Sequence, residues 1–282
     1  MSLFGIKHFF IVYGENETSP ITTSVCPFIF GTLKPLACEL TEYYGVSFPS
    51  MPNYLAAVCG DRASEPDPTC PLGLSDETIG DLLAKNGLTW KNYAENLPTD
   101  PCTGCNSGAY APRHVPFTMF SQDCSSVVPF SDLTKDIANN SLSDYAWLSP
   151  NIYDDGHTAI SSSSNRLTQF DTWLKNTLYP ILKNNLATDT VLFLTYDTGA
   201  NITQNTSCNS ISGGLVHTFI IGPSSIVKQN TTLGGTFNHY SLLAMVEKIF
   251  GLGNLGKCDT SAPTFDGAFQ SAQQVFNVQV NV

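Results

Sequence analysis

The sequence predicts an α/β domain whose mostly parallel central sheet is covered by helices on both faces. Residues 6–13 and 191–196 are unbroken apolar runs that each stop at a polar cluster. That is the pattern of strands buried on both faces. Segments with apolar residues at helical spacing alternate with these runs, and strand–helix alternation favours a parallel sheet between helical layers. Between 96 and 130 the chain is rich in Pro, Cys, Gly and Ser, so long loops stapled by disulfides are expected there. A length of 282 residues suits one domain spanning 1–282, with a flexible tail from about 270.

In chain order, the strand at 6–13 is followed by a helix at 51–59 that begins after a proline-flanked turn. A second helix is expected over 75–86, with Ser75 as its N-cap and Gly87 just past its end. A strand begins at Trp90. A serine run at 161–164 precedes a helix carrying Asp171, Trp173, Leu174 and Leu178. The strand at 191–196 ends in Asp197, and 219–221 forms a third, short strand. Leu242, Leu243, Val246, Ile249 and Phe250 recur at helical spacing and stop before Gly251, which marks a final amphipathic helix.

Composition narrows the setting. Only 13% of residues are charged, about half the usual ~25%, so solubility rests on Ser, Thr, Asn and Gly. A net charge of −11 argues against a nucleic-acid partner, which would require a basic footprint. It also means that an anionic substrate must be attracted by something local, such as a bound cation. Nine cysteines are too many for a reduced cytosol. Cys59, within an apolar helical run, is expected to be the free thiol, leaving four bridges of unassigned pairing. Cys102 and Cys105 form a lone CxxC without a second pair or a nearby His, which speaks against zinc and against a redox dithiol.

Sequons at Asn16, Asn139, Asn201, Asn205 and Asn230 suit an exported glycoprotein. No run approaches the ~20 apolar residues of a membrane span. Residues 9–13 are too few for the apolar region of a signal peptide, so a secreted or cell-surface protein whose export signal lies outside this sequence is expected.

Two strands end in carboxylate-bearing clusters, Glu15-Asn16 and Asp197-Thr198. At one sheet edge they would converge on a cation with hard oxygen ligands; singly, each reads as a polar strand terminus. Ser50 sits between Pro49 and Pro52, just before a helix. It reads there either as an N-cap or as a nucleophile beside the helix dipole. His8 and His217 read as structural strand-end residues.

These segments, in order, resemble the acid phosphatase and phospholipase C family of the alkaline-phosphatase-like fold. Glu15-Asn16 is similar to that family's EN pair, and Pro49-Ser50-Met51-Pro52-Asn53-Tyr54 to its PSLPNY nucleophile segment. Thr78-Ile79 with Leu82-Leu83 and Gly87-Leu88-Thr89-Trp90 resembles TIxDLL...GLSWK. Arg113-His114-Val115-Pro116-Phe117 resembles KHNPF, and Pro150-Asn151 through Asp155-Gly156-His157 resembles PN...DGH. Leu194-Thr195-Tyr196-Asp197 looks like the strand ending in the family's later metal carboxylate, and 238–243 like NHYSLL.

The resemblance implies a secreted phosphoesterase with one divalent metal ion held by Glu15, Asn16, Asp197 and the oxygen of Ser50. It implies Ser50 as the nucleophile and a phosphoserine intermediate. His114 and His157 would be catalytic donors or the leaving-group acid, and Asn53, Asp155 and His239 would bind substrate. The family carries a second carboxylate where this chain has Thr198, so the metal shell rests on a weaker Thr198 ligand or on one from Asp154 or Asp155. A phosphate monoester is the expected substrate; a phospholipid diester cleaved in the phospholipase C manner is the alternative. Thr198 also leaves open a catalytically silent surface glycoprotein. A glycan on Asn16 would block the site it is expected to build. Glycopeptide mapping of active protein is therefore expected to find Asn16 bare, and a modified Asn16 would remove it from the ligand set.

Overall fold

A computed structural model describes residues 2–17 and 21–271, so the tail expected from about 270 lies almost wholly outside the described residues. Strand β1 (His8–Gly14) is buried at every position, which explains its unbroken apolar run. It pairs in parallel with β5 (Tyr145–Ser149) on one side and with β6 (Thr190–Tyr196) on the other. Beyond β5 lie β3 (Trp90–Ala94) and β4 (Val127–Pro129), both parallel. Beyond β6 come β7 (Leu215–Ile221), β2 (Ala37–Tyr44) and β8 (Thr231–Leu233), with β9 (Phe237–Asn238) also on β2. Only β7 runs antiparallel to its neighbours β6 and β2 among the described residues. The expected parallel sheet is thus a mixed one. The 197–214 loop brings the chain straight back beside β6 instead of over a helical crossover.

Alternation along β1 sends Tyr13 to one face and Gly14 to the other. Tyr13 packs on Tyr54 of α1 (Met51–Cys59) and His239 of α6 (His239–Phe250). A Cβ at Gly14 would lie 2.6 Å from ring carbons of Phe170, in α4 (Arg166–Trp173), and of Tyr196, so only glycine fits there. Helices therefore cover both faces. After α4 the chain passes through a wide turn, Leu174–Leu178, into α5 (Tyr179–Leu186). Asp171 fastens α4 to the start of the 28–33 segment by accepting from the Phe28 and Ile29 amides at 3.0 and 2.7 Å. A short α3 (Asp132–Ala138) lies before β5.

The expected helix over 75–86 is shorter: α2 runs Ile79–Lys85. Its cap is Thr78 instead of Ser75, because Thr78 and Asp81 form a reciprocal capping box. The expected strand at 219–221 extends back to Leu215, across the polar His217 and Thr218. At the end of α6, Gly251 adopts φ 65° as the left-handed C-cap.

Three disulfides are present, Cys70–Cys105, Cys102–Cys124 and Cys208–Cys258, against the four expected. Cys59 is free and buried as expected, but so are Cys26 and Cys38. Each of these two occupies core space as a small apolar residue, Cys26 against the Leu167 carbonyl of α4 and Cys38 within β2. The CxxC cysteines belong to two different bridges.

Glu247 of α6 is buried beside Asp259, and burial together with that neighbour pushes its carboxyl up from 4.5 to about 9. Between these values the folded chain holds a proton that the unfolded chain lacks, so this contribution to stability falls as pH rises from 4.5 to about 9. Glu247→Gln keeps a donor and removes the titration. Urea unfolding across that range is expected to show a flatter pH dependence for the variant and greater stability than the parent at pH 8.

Candidate active site

The carboxyl ends of β1 and β6 lie side by side, in register at Gly14 and Tyr196, so the residues that follow them meet. Asn16 takes φ 54°, a left-handed conformation that Asn tolerates, and this aims its N–H at Asp197 Oδ1, 2.7 Å away. Thr198, also buried, donates its hydroxyl to the same Oδ1 at 3.3 Å. Glu15 is buried between the two strand ends, and its Oε2 accepts from Asn16 Nδ2 at 3.0 Å.

Ser50 stands at the start of α1 without capping it. Its Oγ donates to Glu15 Oε2 at 3.0 Å, while the Met51 amide donates to Asp67 Oδ1 at 2.8 Å. One helical turn on, Tyr54 donates its hydroxyl to Glu15 Oε1 at 2.6 Å. Tyr54 and Asp67 were not singled out from the sequence. The i, i+4 spacing from Ser50 was the available signal for Tyr54; Asp67, in a loop, offered none.

His114 closes a short turn, Pro112–His114. Its ring stacks on Tyr54, Nδ1 lies 2.7 Å from Asp155 Oδ2, and Nε2 lies 3.4 Å from Glu15 Oε1. Asp155 Oδ1 accepts from the His157 amide at 2.7 Å, and His157 Nε2 lies 3.3 Å from the Arg113 guanidinium. Arg113 was noted only as part of a motif.

Asn53 and His239 sit differently from the substrate-binding role expected of them. The Asn53 side chain accepts from the Val46 and Ser47 amides and donates to the Ser47 and Pro49 carbonyls, so it is fully used in shaping the 46–50 turn. His239 is wholly buried; Nδ1 meets the Tyr13 and Tyr43 hydroxyls, and Nε2 donates to the Asp197 carbonyl at 2.7 Å. Asp154 is paired with Asn151, outside this cluster. His8, at the start of β1, bonds the Ser143 carbonyl, whereas His217, expected at a strand end, lies within β7 and bonds the Glu17 carboxylate.

The electrostatics is that of a buried acidic cluster. Burial raises the carboxyls of Glu15 and Asp197, with their mutual repulsion adding to the shift of Glu15, and pushes Asp155 up to about 8. Burial lowers His114 to about 3 and His157 to about 4, so both imidazoles are neutral and have lone pairs to offer. Two wholly buried atoms, Asp197 Oδ2 and His114 Nε2, have no hydrogen-bond partner, a costly state in a protein interior. Glu15, His114 and His157 offer ligand atoms within 4.8 Å of one another. Clustered carboxylates, neutral imidazoles and unpartnered acceptors make a donor set that fits a divalent cation. A hollow lined by Asp154, Ile160, Asn165, Gln169 and Trp173 contains none of the residues clustered around Glu15 and Ser50.

The model of the Phosphoesterase family matches residues 37–253. The chain belongs to the Phosphoesterase family. Among curated members, the probable acid phosphatase of Kluyveromyces lactis is 28% identical over 98% of this chain, and the phosphatidylinositol-3-phosphatase of Mycobacterium tuberculosis is 28% identical over 92%. The acid phosphatase of Aspergillus fumigatus is 28% identical over 79%. The chain spans 65%, 82% and 50% of those three proteins.

Its fold is that of the alkaline phosphatase superfamily. A member from Vibrio parahaemolyticus superposes with a TM-score of 0.58 at 13% identity, covering 92% of this chain and 71% of that one. The C-terminal periplasmic domain of EcEptC from Escherichia coli, in complex with Zn, gives 0.57 at 10% identity, covering 89% and 84%.

His239→Ala would leave two tyrosyl hydroxyls and the Asp197 carbonyl unpaired in the interior. It is expected to lower the unfolding free energy by at least ~3 kcal/mol in urea titration, three groups being left unpaired at ~1–3 kcal/mol each.

Proposed function

We propose that the protein is a metal-dependent hydrolase of phosphate monoesters that acts through a phosphoserine at Ser50. The observation that carries this reading is the Ser50 hydroxyl, turned away from its helix and hydrogen-bonded to the buried Glu15 carboxylate. Glu15 Oε2 is placed to receive the Ser50 proton as Oγ attacks phosphorus in line with the leaving group. Tyr54 holds the other Glu15 oxygen, which fixes the direction of the accepting one.

A divalent cation, bound by Glu15, Asn16, Ser50 and Asp197, would favour the Ser50 alkoxide and offset the charge of the phosphoryl group. That also answers how a chain of net charge −11 attracts an anion. Arg113 and His157 stand next to each other at the rim, where a guanidinium and an imidazole suit the phosphate and the departing oxygen.

Two further parts of the reading concern substrate and setting. Phe48, 48% exposed two residues before Ser50, and the relative named for a phosphatidylinositol phosphate support a phospholipid head group among the esters accepted. The disulfides and sequons support a secreted or cell-surface protein, and no described helix is long and apolar enough to cross a membrane.

Release of p-nitrophenol from mono- and bis-(p-nitrophenyl) phosphate tests the proposal. Monoester turnover is expected to be abolished by EDTA, restored by a divalent metal, and reduced at least ~10³-fold by Ser50→Ala. Wild-type turnover in Ser50→Ala would refute the nucleophile. Preference for the diester would move the protein to the phospholipase C type, and inactivity with every added metal would favour a silent glycoprotein.

A further inference from the structure

We propose that His114 is itself a metal ligand, supplying through Nε2 the donor that position 198 lacks; the inference rests on the metal-dependent reading above. At position 198 the expected carboxylate is absent, and the Thr198 hydroxyl gives its proton to Asp197 Oδ1. The cluster's other unpartnered, fully buried atom besides Asp197 Oδ2 is His114 Nε2, 3.4 Å from Glu15 Oε1.

Two contacts fix that imidazole. Asp155 Oδ2 lies 2.7 Å from Nδ1; a cation at the cluster favours the ionised Asp155, which then accepts the Nδ1 proton and leaves the Nε2 lone pair toward Glu15. This carboxylate–imidazole arrangement orients histidine ligands at metal centres. Asp155 is held in turn by the His157 amide, and Tyr54 stacks on the ring 5.7 Å away at an interplanar angle of 9° while bonding the same Glu15 oxygen. Other buried side chains of the core, Trp147 and Tyr145 among them, also lack a partner; His114 Nε2 differs in that it lies beside a carboxylate oxygen in a cluster of possible ligands. His157 also has a ring nitrogen near the cluster, but its Nε2 faces the Arg113 guanidinium and its Nδ1 faces Thr158 Oγ1, so it stays outside the shell.

A shell of carboxylate, hydroxyl and one imidazole is borderline rather than hard. It selects a zinc-like cation over calcium or magnesium, which prefer oxygen alone.

The test is zinc-edge X-ray absorption on the full chain, stripped with chelator and reloaded with zinc, together with zinc affinity by competition with a chromophoric chelator. Wild-type protein is expected to show the outer-shell scattering of one imidazole, and His114→Gln to lose it and bind zinc at least ~10-fold more weakly. Asp155→Asn keeps the imidazole signal but weakens zinc by ~10–100-fold. Adding Thr198→Asp to His114→Gln restores zinc retention without the imidazole signal. Thermal unfolding of each variant separates ligand loss from misfolding.

An oxygen-only shell in the wild type, or an imidazole signal unchanged in His114→Gln, overturns the assignment. Failure to bind zinc at all overturns it equally. Hydrolysis that still depends on Ser50 in any of these cases leaves the phosphoesterase reading standing. Turnover independent of Ser50 in a protein that keeps the imidazole signal does the reverse.

Discussion

The in-register pairing of β1 with β6, closed by the Asn16 amide on Asp197 Oδ1, is the constraint on which the site depends. It brings the polar ends of two buried strands together where a carboxylate could not otherwise be kept. Everything else takes its position from those ends. Ser50 and Tyr54 reach Glu15 from α1, His114 reaches it from a loop, and His239 fastens the Asp197 backbone from α6. Gly14 makes the junction sterically possible, since any side chain there would strike Phe170 and Tyr196.

Legibility in the sequence follows burial. Strands covered on both faces, β1 and β6, are unbroken apolar runs and were readable; so was α6, with its helical spacing and terminal glycine. Strand β2 was missed because Glu39, Thr41 and Glu42 interrupt its apolar residues and a register shift falls between Leu40 and Tyr43. Strand β5 was missed because five residues are too few to show a period. The reversed direction of β7 is a matter of loop path, which local pattern does not encode.

For the site, residue types and strand ends were readable, whereas roles required contacts across the chain. Ser50 could be a cap or a nucleophile until its hydroxyl was seen on Glu15, 35 residues away. Asn53 looks like a free amide in the sequence, yet all its hydrogen-bonding capacity goes to the turn that presents Ser50. Thr198 stood out in the sequence as the departure from the family's metal-ligand pattern. The unpartnered imidazole nitrogen of His114 was visible only once β1, α1 and the 112–114 turn were placed together.

The bridges Cys70–Cys105 and Cys102–Cys124 overlap along the chain, and the segments they fasten bracket His114 and adjoin Asp67. Covalent ties give these irregular loops a firmness that elsewhere would need a helix or a strand. Exposed residues between the cysteines, at 103 and 106–108, are consequently free to change in size and polarity while the buried Phe117, Met119 and Phe120 stay in the core. That is a route by which the surface of these loops can diverge without disturbing the cluster beneath them, so the stapled loops act as a source of evolvability.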